Sequence, residues 1–185
     1  MPLTKSFIMK KNMVLGSIAL FLSLSMLTVQ AQKKSIKLND AEIASIAVTA
    51  NQIDINAAEL AKSKTKNAEV SNFANTMITD HTSVIKKATA LVKKLKVTPQ
   101  DNATSRQLQA NARKTLASLK GKKGAAFDKA YATNEVAYHK AVISTVANTL
   151  IPQAQNAELK SLLQSVLPVL KTHLAHAEMV AKNLK

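Results

Sequence analysis

Apolar residues recur at alternating steps of three and four along most of the chain after residue 39, a spacing that predicts amphipathic helices. Five such helices are predicted, over about residues 40–64, 68–96, 105–119, 125–150 and 156–184. The inward stripe of the first helix reads Ile43, Ile46, Ala50, Ile53, Ala57 and Leu60. Alternation with a period of two, which is typical of strands, is nowhere sustained. The pattern therefore predicts an all-α protein.

Histidines interrupt three of these apolar stripes. The second stripe reads Val70, Phe73, Met77, His81, Val84, Ala88, Leu91 and Leu95. His139 follows Glu135 on the stripe of the fourth helix, and His173 follows Leu170 on the stripe of the last. Imidazoles and carboxylates are ligands for zinc, copper and iron. A metal site is therefore one hypothesis, formed by His81, Glu135, His139 and His173, with Glu59, Asp80 and His176 as contributors.

The other hypothesis is that the inward imidazoles are structural. Each would then be a buried polar group, hydrogen-bonded to Asp80, Tyr131, Tyr138 or a backbone carbonyl, and would set the register of its helix. Neutral imidazoles in an apolar interior resist protonation, so acidification through about pH 6 should then destabilise the fold. Residue patterns alone leave both hypotheses open.

The breaks between helices predict the topology. The links near residues 65–67 and 152–156 are short, whereas a long connection of about residues 97–124 contains the short third helix. Two antiparallel hairpins joined by one long crossover are typical of ferritin-like four-helix bundles. We therefore expect a ferritin-like bundle with an additional crossover helix. Pro152 should end the fourth helix, and Pro168 should kink or restart the last.

The first 31 residues have the features of a secretory signal peptide. Lys5, Lys10 and Lys11 precede an apolar run from residue 13 to residue 29, and cleavage is expected after Ala31. A retained membrane anchor is the alternative, although this run is short for a bilayer span. Residues 32–38 should form a flexible N-terminus and residues 39–185 the bundle. The expected location is the periplasm, the outer membrane or the outside of the cell.

The charge of the chain is strongly positive. It carries 26 Lys and Arg against 11 Asp and Glu, a formal net charge of +15, and no cysteine. Because the predicted signal peptide holds three of the lysines and none of the acids, the mature chain would keep +12. Such a charge favours contact with anionic lipid head groups or polysaccharide. The lysines are scattered without interleaved aromatic residues, which argues against specific nucleic-acid binding.

Three segments together resemble a known family. They are Met77 with Asp80-His81, Phe127-Asp128 with Tyr131 and His139, and Leu167-Pro168 followed by His173. In these residues and their spacing the chain resembles the secreted family known as domain of unknown function 4142, over about residues 38–181. Members of this family are often labelled outer-membrane proteins and are grouped with the ferritin-like superfamily. The resemblance implies an exported ferritin-like bundle and implies no established activity.

The chain departs from the ligand set of the di-iron carboxylate proteins. Those proteins use a Glu-x-x-His motif on each of two helices, and this sequence contains no such motif. Three functional hypotheses remain. The first is a non-enzymatic envelope protein that acts through binding or scaffolding, the second is a periplasmic metal-binding bundle, and the third is a redox or peroxide-handling ferritin relative. Zn, Cu and Fe are the candidate ions for the second.

Overall fold

The computed structural model describes residues 37–184. In chain order its helices are α1 (Asp40–Lys64), α2 (Ala68–Lys94), α3 (Ala103–Lys120), α4 (Gly124–Thr145), α5 (Ile151–Gln153) and α6 (Ala157–Asn183). A π-helical turn, Val146–Leu150, joins α4 to α5. None of the described residues forms a strand. The predicted all-α class is therefore confirmed.

The long helices pair as two hairpins. α1 packs along α2 across the short link at residues 65–67, and α4 packs along α6. The crossover between the hairpins contains α3, which lies mainly against α1 and also contacts α4. The predicted ferritin-like bundle with one long crossover and one extra helix is confirmed by this arrangement.

The predicted signal peptide at residues 1–31 lies outside the described residues, as does most of the segment at residues 32–38. Between residues 37 and 184 no helix has both the length and the apolar character required to cross a bilayer.

Asparagine side chains begin four of the five longer helices. Asn39 accepts a hydrogen bond from the backbone N–H of Glu42 at 2.9 Å, and the Glu42 side chain accepts one from the backbone N–H of Asn39, which completes a capping box. Equivalent side-chain caps precede α2, α3 and α6, at Asn67, Asn102 and Asn156. These amides satisfy N–H groups that have no partner within the helix, so the helix starts are encoded locally.

The prolines affect the backbone differently from the prediction. Pro152 was expected to stop the fourth helix after Leu150, but the helical backbone continues from α4 through the π-helical turn and α5 to Gln153, one residue beyond Pro152. α6 is one continuous helix through Pro168, so the expected restart does not occur.

A layer of polar side chains divides the core into two apolar parts. One part contains Phe73, Met77, Phe127 and Tyr131, and the other contains Ile43, Ile46, Leu150 and Leu163. On every long helix of the bundle the residues between these parts include a buried ionisable side chain. We call these five residues the polar layer: Asp54, His81, Glu135, His139 and His173.

Candidate metal centre

Four helices contribute to the polar layer. Asp54 comes from α1, His81 from α2, Glu135 and His139 from α4, and His173 from α6. The three imidazole rings lie close together, with centroid separations of 5.1 Å between His81 and His173, 5.5 Å between His139 and His173, and 5.8 Å between His81 and His139. One nitrogen from each ring lies within 4.8 Å of those of the other two. The bundle therefore gathers three imidazoles from three different helices.

Each imidazole uses one nitrogen to bind an acceptor at the edge of the layer. The Nδ1 of His81 lies 2.7 Å from the side-chain oxygen of Asn51, and the Nδ1 of His139 lies 3.0 Å from the backbone oxygen of Glu135. The Nε2 of His173 lies 2.9 Å from a carboxylate oxygen of Asp80. Because all three partners are acceptors, the ring nitrogen that faces each of them carries the proton and donates.

The second nitrogen of each ring has no hydrogen-bond donor or acceptor of suitable geometry among residues 37–184. These atoms are the Nε2 of His81, the Nε2 of His139 and the Nδ1 of His173, and all three are buried. Both side-chain oxygens of Asp54 are buried and unpartnered in the same way. One of those oxygens lies 3.2 Å from the Nε2 of His81 and 3.4 Å from the Nε2 of His139. The lone pairs on the Nε2 atoms of His81 and His139 therefore face the carboxylate of Asp54. Only a cation or an added proton can stabilise this arrangement.

Burial governs the electrostatics of the layer. Loss of solvation lowers the pKa of His139, and the charge of Asp54 offsets part of this effect. Loss of solvation also lowers the pKa of His173, and the hydrogen bond to Asp80 offsets part of it. Loss of solvation raises the pKa of Glu135 well above its ordinary value, and the charge of Asp54 raises it further. No lysine or arginine within the described part of the chain is buried. The layer thus lacks a permanent cationic side chain to balance its carboxylates.

The candidate residues named from sequence fall into two groups. His81, Glu135, His139 and His173 lie together in the polar layer, and Asp80 lies at its edge with its side chain 41% exposed. Glu59 and His176 lie elsewhere. Glu59 is exposed on α1, and the ring of His176 meets the edge of Phe73 at a centroid distance of 5.0 Å.

The carboxylate that α1 contributes to the interior is Asp54, which sequence reasoning missed. Ile53 was placed on the inward stripe instead, but Ile53 is only half-buried whereas Asp54 is 1% exposed. A stripe drawn through Ala50, Asp54, Ala57 and Ala61 has the same three-four spacing and would have included it. Asn51, which orients His81, was missed for the same reason.

Glu135 extends the layer toward a second group of donors. Oxygens of Asp54 and Glu135 and a nitrogen of His139 lie within 4.8 Å of one another, and the three residues are buried. The Oε2 of Glu135 is buried without a hydrogen-bond partner in the described chain, and it lies 3.7 Å from the Nδ1 of His139. The layer therefore offers two carboxylates next to the imidazoles.

Comparison with known proteins adds a fold relative and a family. The solved structure titled "CopM in the Cu(II)-bound form" is similar to this chain with a TM-score of 0.61 and 14% sequence identity, over 81% of this chain and 100% of that chain. At this identity the similarity shows a shared fold. No curated protein matches the sequence. Residues 25–180 match the family described as "Domain of unknown function (DUF4142)". The matched region is most of the chain, so this protein belongs to the DUF4142 family.

Proposed function

We propose that this protein is an exported, non-enzymatic bundle that binds one divalent transition-metal ion in its polar layer. The proposed ligands are His81, His139, His173 and Asp54. The observation that carries the proposal is that all three imidazoles donate one proton to an acceptor at the edge of the layer and leave the opposite nitrogen buried and unpartnered. Metal-binding histidines are held in this way, because the outer hydrogen bond selects the tautomer and orients the ring.

The distances support the same proposal. Ligand atoms about 2.0–2.1 Å from a tetrahedral ion lie about 3.3 Å from one another. The Asp54 oxygen lies 3.2 Å from His81 and 3.4 Å from His139, which matches that separation. One nitrogen of His173 lies within 4.8 Å of a nitrogen of His81 and a nitrogen of His139, so the ring of His173 must move inward to complete the ligand set.

The donor types favour copper or zinc. Imidazole nitrogens suit Zn²⁺ and Cu²⁺, and Cu²⁺ binds such donors most strongly among the divalent ions of this series. The polar layer contains no sulfur donor, which argues against Cu⁺. CopM, whose fold is similar, has been solved with Cu(II), so copper is the first ion to test. Glu135 is the further carboxylate that this site could use.

Export and surface contact complete the proposal. The basic and apolar pattern of residues 1–31 supports secretion into the cell envelope. The positive charge of the mature chain supports contact with anionic lipid head groups or polysaccharide there.

Titration of the protein with Cu²⁺ and Zn²⁺ tests the proposal. Starting from protein freed of metal by a chelator, calorimetry with a competing ligand should show one ion per chain. Alanine substitution of His81 or His173 should weaken binding by at least about 100-fold, since loss of a ligand should cost no less than loss of its outer partner. The matched control is His176→Ala, which removes the fourth histidine of the chain from the same helix as His173 but outside the polar layer.

The competing function is a purely structural layer, in which a proton shared among Asp54, His81 and His139 takes the place of an ion. The close approach of these three side chains favours it as the second candidate. It predicts no binding of either ion at micromolar concentration, and His81→Ala and His173→Ala would then lower only the stability. That combination of results would refute the metal centre.

A further inference from the structure

Five helix ends meet at one end of the bundle. The Nζ of Lys64, in the last turn of α1, donates a hydrogen bond to the backbone oxygen of Lys120 at the end of α3, and it lies 5.1 Å from the centre of the Phe127 ring in the first turn of α4. The side-chain amide of Asn183, at the end of α6, donates to a carboxylate oxygen of Glu69 in the first turn of α2 at 2.8 Å. The last turns of α1, α3 and α6 and the first turns of α2 and α4 therefore share one surface.

Lysines dominate this surface. Residues 61–69, 119–128 and 180–184 contain seven lysines and two acidic residues, Glu69 and Asp128. Six of the lysines are exposed and the seventh is half-buried. The ion pairs that lysine and arginine form within residues 37–184 lie elsewhere, so no carboxylate neutralises these lysines. We call this surface the lysine end, and its lysines are Lys62, Lys64, Lys66, Lys120, Lys122, Lys123 and Lys182.

The opposite end of the bundle has a more balanced charge. The starts of α1 and α6 meet there, since the carboxylate of Asp40 accepts a hydrogen bond from the backbone N–H of Asn156 at 2.9 Å. Residues 37–44, 93–106 and 151–160 contain six basic and four acidic residues, and two of the basic side chains form ion pairs with acidic ones. The formal excess of positive charge is two at this end and five at the lysine end.

Helix dipoles account for only part of the lysine end. Four of its lysines lie in the last turn of α1, α3 or α6, where a positive charge is favourable. The other three, Lys66, Lys122 and Lys123, directly precede α2 or α4, whose N-termini carry partial positive charge and repel them. Lys123 is the N-cap of α4 and makes no capping hydrogen bond, so the first N–H groups of α4 add to the positive potential. An anionic partner would relieve this repulsion.

The layout of the lysines favours a flat partner. α1 and α6 each pack on α2 and α4 and so lie at opposite corners of the bundle, and α3 lies outside α1. Because packed helices are about 8–10 Å apart, the lysines at the ends of these three helices spread over about 20 Å in two directions. A bilayer of anionic phospholipid presents its charge in a plane and can meet all of them together. A linear polysaccharide follows a single row of cations.

We propose that the lysine end binds the surface of an anionic phospholipid bilayer. The described residues of this end expose no large apolar side chain, so the attachment is electrostatic and needs no insertion into the bilayer. This inference rests on the envelope contact proposed above and names its surface and its partner. Asp54 of the polar layer is ten residues before Lys64 on α1, about 15 Å along the helix, so the two sites act separately.

Sedimentation with lipid vesicles tests the inference. The mature protein in about 0.1 M NaCl should bind vesicles made of equal parts of phosphatidylglycerol and phosphatidylethanolamine. It should not bind vesicles of phosphatidylcholine, which carry no net charge. About 1 M NaCl should release the protein, because it shortens the screening length from about 10 Å to about 3 Å.

Substitutions that remove equal charge locate the contact. The first variant changes the link between α3 and α4, with Lys120→Gln, Lys122→Gln and Lys123→Gln. A second variant, which serves if the first fails to fold, carries Lys62→Gln, Lys66→Gln and Lys182→Gln. Each should weaken vesicle binding by about 100-fold, since one lysine near an anionic surface strengthens binding by about fivefold. The matched control removes three exposed lysines from the half of α2 far from the lysine end and should have a much smaller effect: Lys86→Gln, Lys87→Gln and Lys93→Gln.

Each failure has a distinct meaning. If wild type does not bind the anionic vesicles, or binds the acidic polysaccharide alginate instead, the inference is wrong. If the control loses as much binding as the first two variants, net charge acts without a particular surface, and the inference is again wrong. Titration with Cu²⁺ tests the metal centre independently. The lysine variants should keep the wild-type affinity for Cu²⁺, and absence of Cu²⁺ binding would refute the metal centre and leave the lysine end standing.

Discussion

Replacing Glu135 with glutamine should change how the stability of the metal-free protein depends on pH. Glu135 is fully buried, and loss of solvation together with the charge of Asp54 raises its pKa well above 4.5. Above pH 4.5 the folded state therefore keeps a proton that the unfolded chain releases. The stabilisation from this group is complete below pH 4.5 and is lost as the pH rises toward the folded-state pKa. Glutamine at this position cannot titrate, so the variant lacks this contribution.

The magnitude follows from proton linkage. One proton of difference between the two states changes the free energy of unfolding by about 1.4 kcal/mol per pH unit. Between about pH 7.5 and 5.5 the unfolded chain has Glu135 almost fully ionised, so wild type should gain up to about 2.7 kcal/mol relative to Glu135→Gln as the pH falls.

The imidazoles act in the opposite direction. Burial lowers the pKa of His139 and His173, so their contribution is present above pH 6.5 and is lost as the pH falls below it. Over the same interval each loses at most about 1.4 kcal/mol. The gain from Glu135 can offset both losses in wild type, whereas the glutamine variant should lose up to about 2.7 kcal/mol. The destabilisation through about pH 6 expected from the histidines alone should therefore be clear only in the variant.

Urea unfolding followed by circular dichroism at several pH values, with EDTA present, measures this difference. The difference in unfolding free energy between wild type and Glu135→Gln cancels the contributions common to both proteins. The control is Glu59→Gln, which removes an exposed glutamate of α1 outside the polar layer. Parallel curves for wild type and Glu135→Gln would refute the reasoning, because they would mean that Glu135 has the same charge in the folded and unfolded states.

Three further predictions concern one residue that orients a proposed ligand and two residues that stabilise the fold. Asn51→Leu removes the acceptor of the His81 proton and should weaken binding of Cu²⁺ or Zn²⁺ by about 10–100-fold in competitive calorimetry. Phe73→Ala removes a fully buried ring from the core and should lower the unfolding free energy by about 3–5 kcal/mol in urea titrations, so a loss below about 1 kcal/mol would contradict its packing. Asn102→Ala removes the cap of α3 and should cost about 1–2 kcal/mol, with faster amide exchange in the first turn of α3 as the local signature.

The sequence by itself determined the class of the fold, most helix ends and the topology. Three-four spacing of apolar residues, asparagine caps and the lengths of the links are local properties, and they predicted α1 and α2 to within two residues. The location of the polar layer could also be predicted approximately, because His81, His139 and His173 interrupt apolar stripes on three helices. The local signals were wrong at Pro152, where the helical backbone continues to Gln153, and α6 does not restart at Pro168.

Only the tertiary structure decided which carboxylates belong to the site. Asp54 and Glu59 lie five residues apart on α1, and a shift of the inward stripe by one residue exchanges Ile53 for Asp54. That shift is a rotation of the helix by about 100°, which periodicity in a helix rich in alanine does not define. Contact of α1 with α2 and α4 sets the rotation and brings the Asp54 carboxylate to His81 and His139. The same contacts decide which ring nitrogens remain unpartnered, since a hydrogen bond between helices depends on their relative height and rotation.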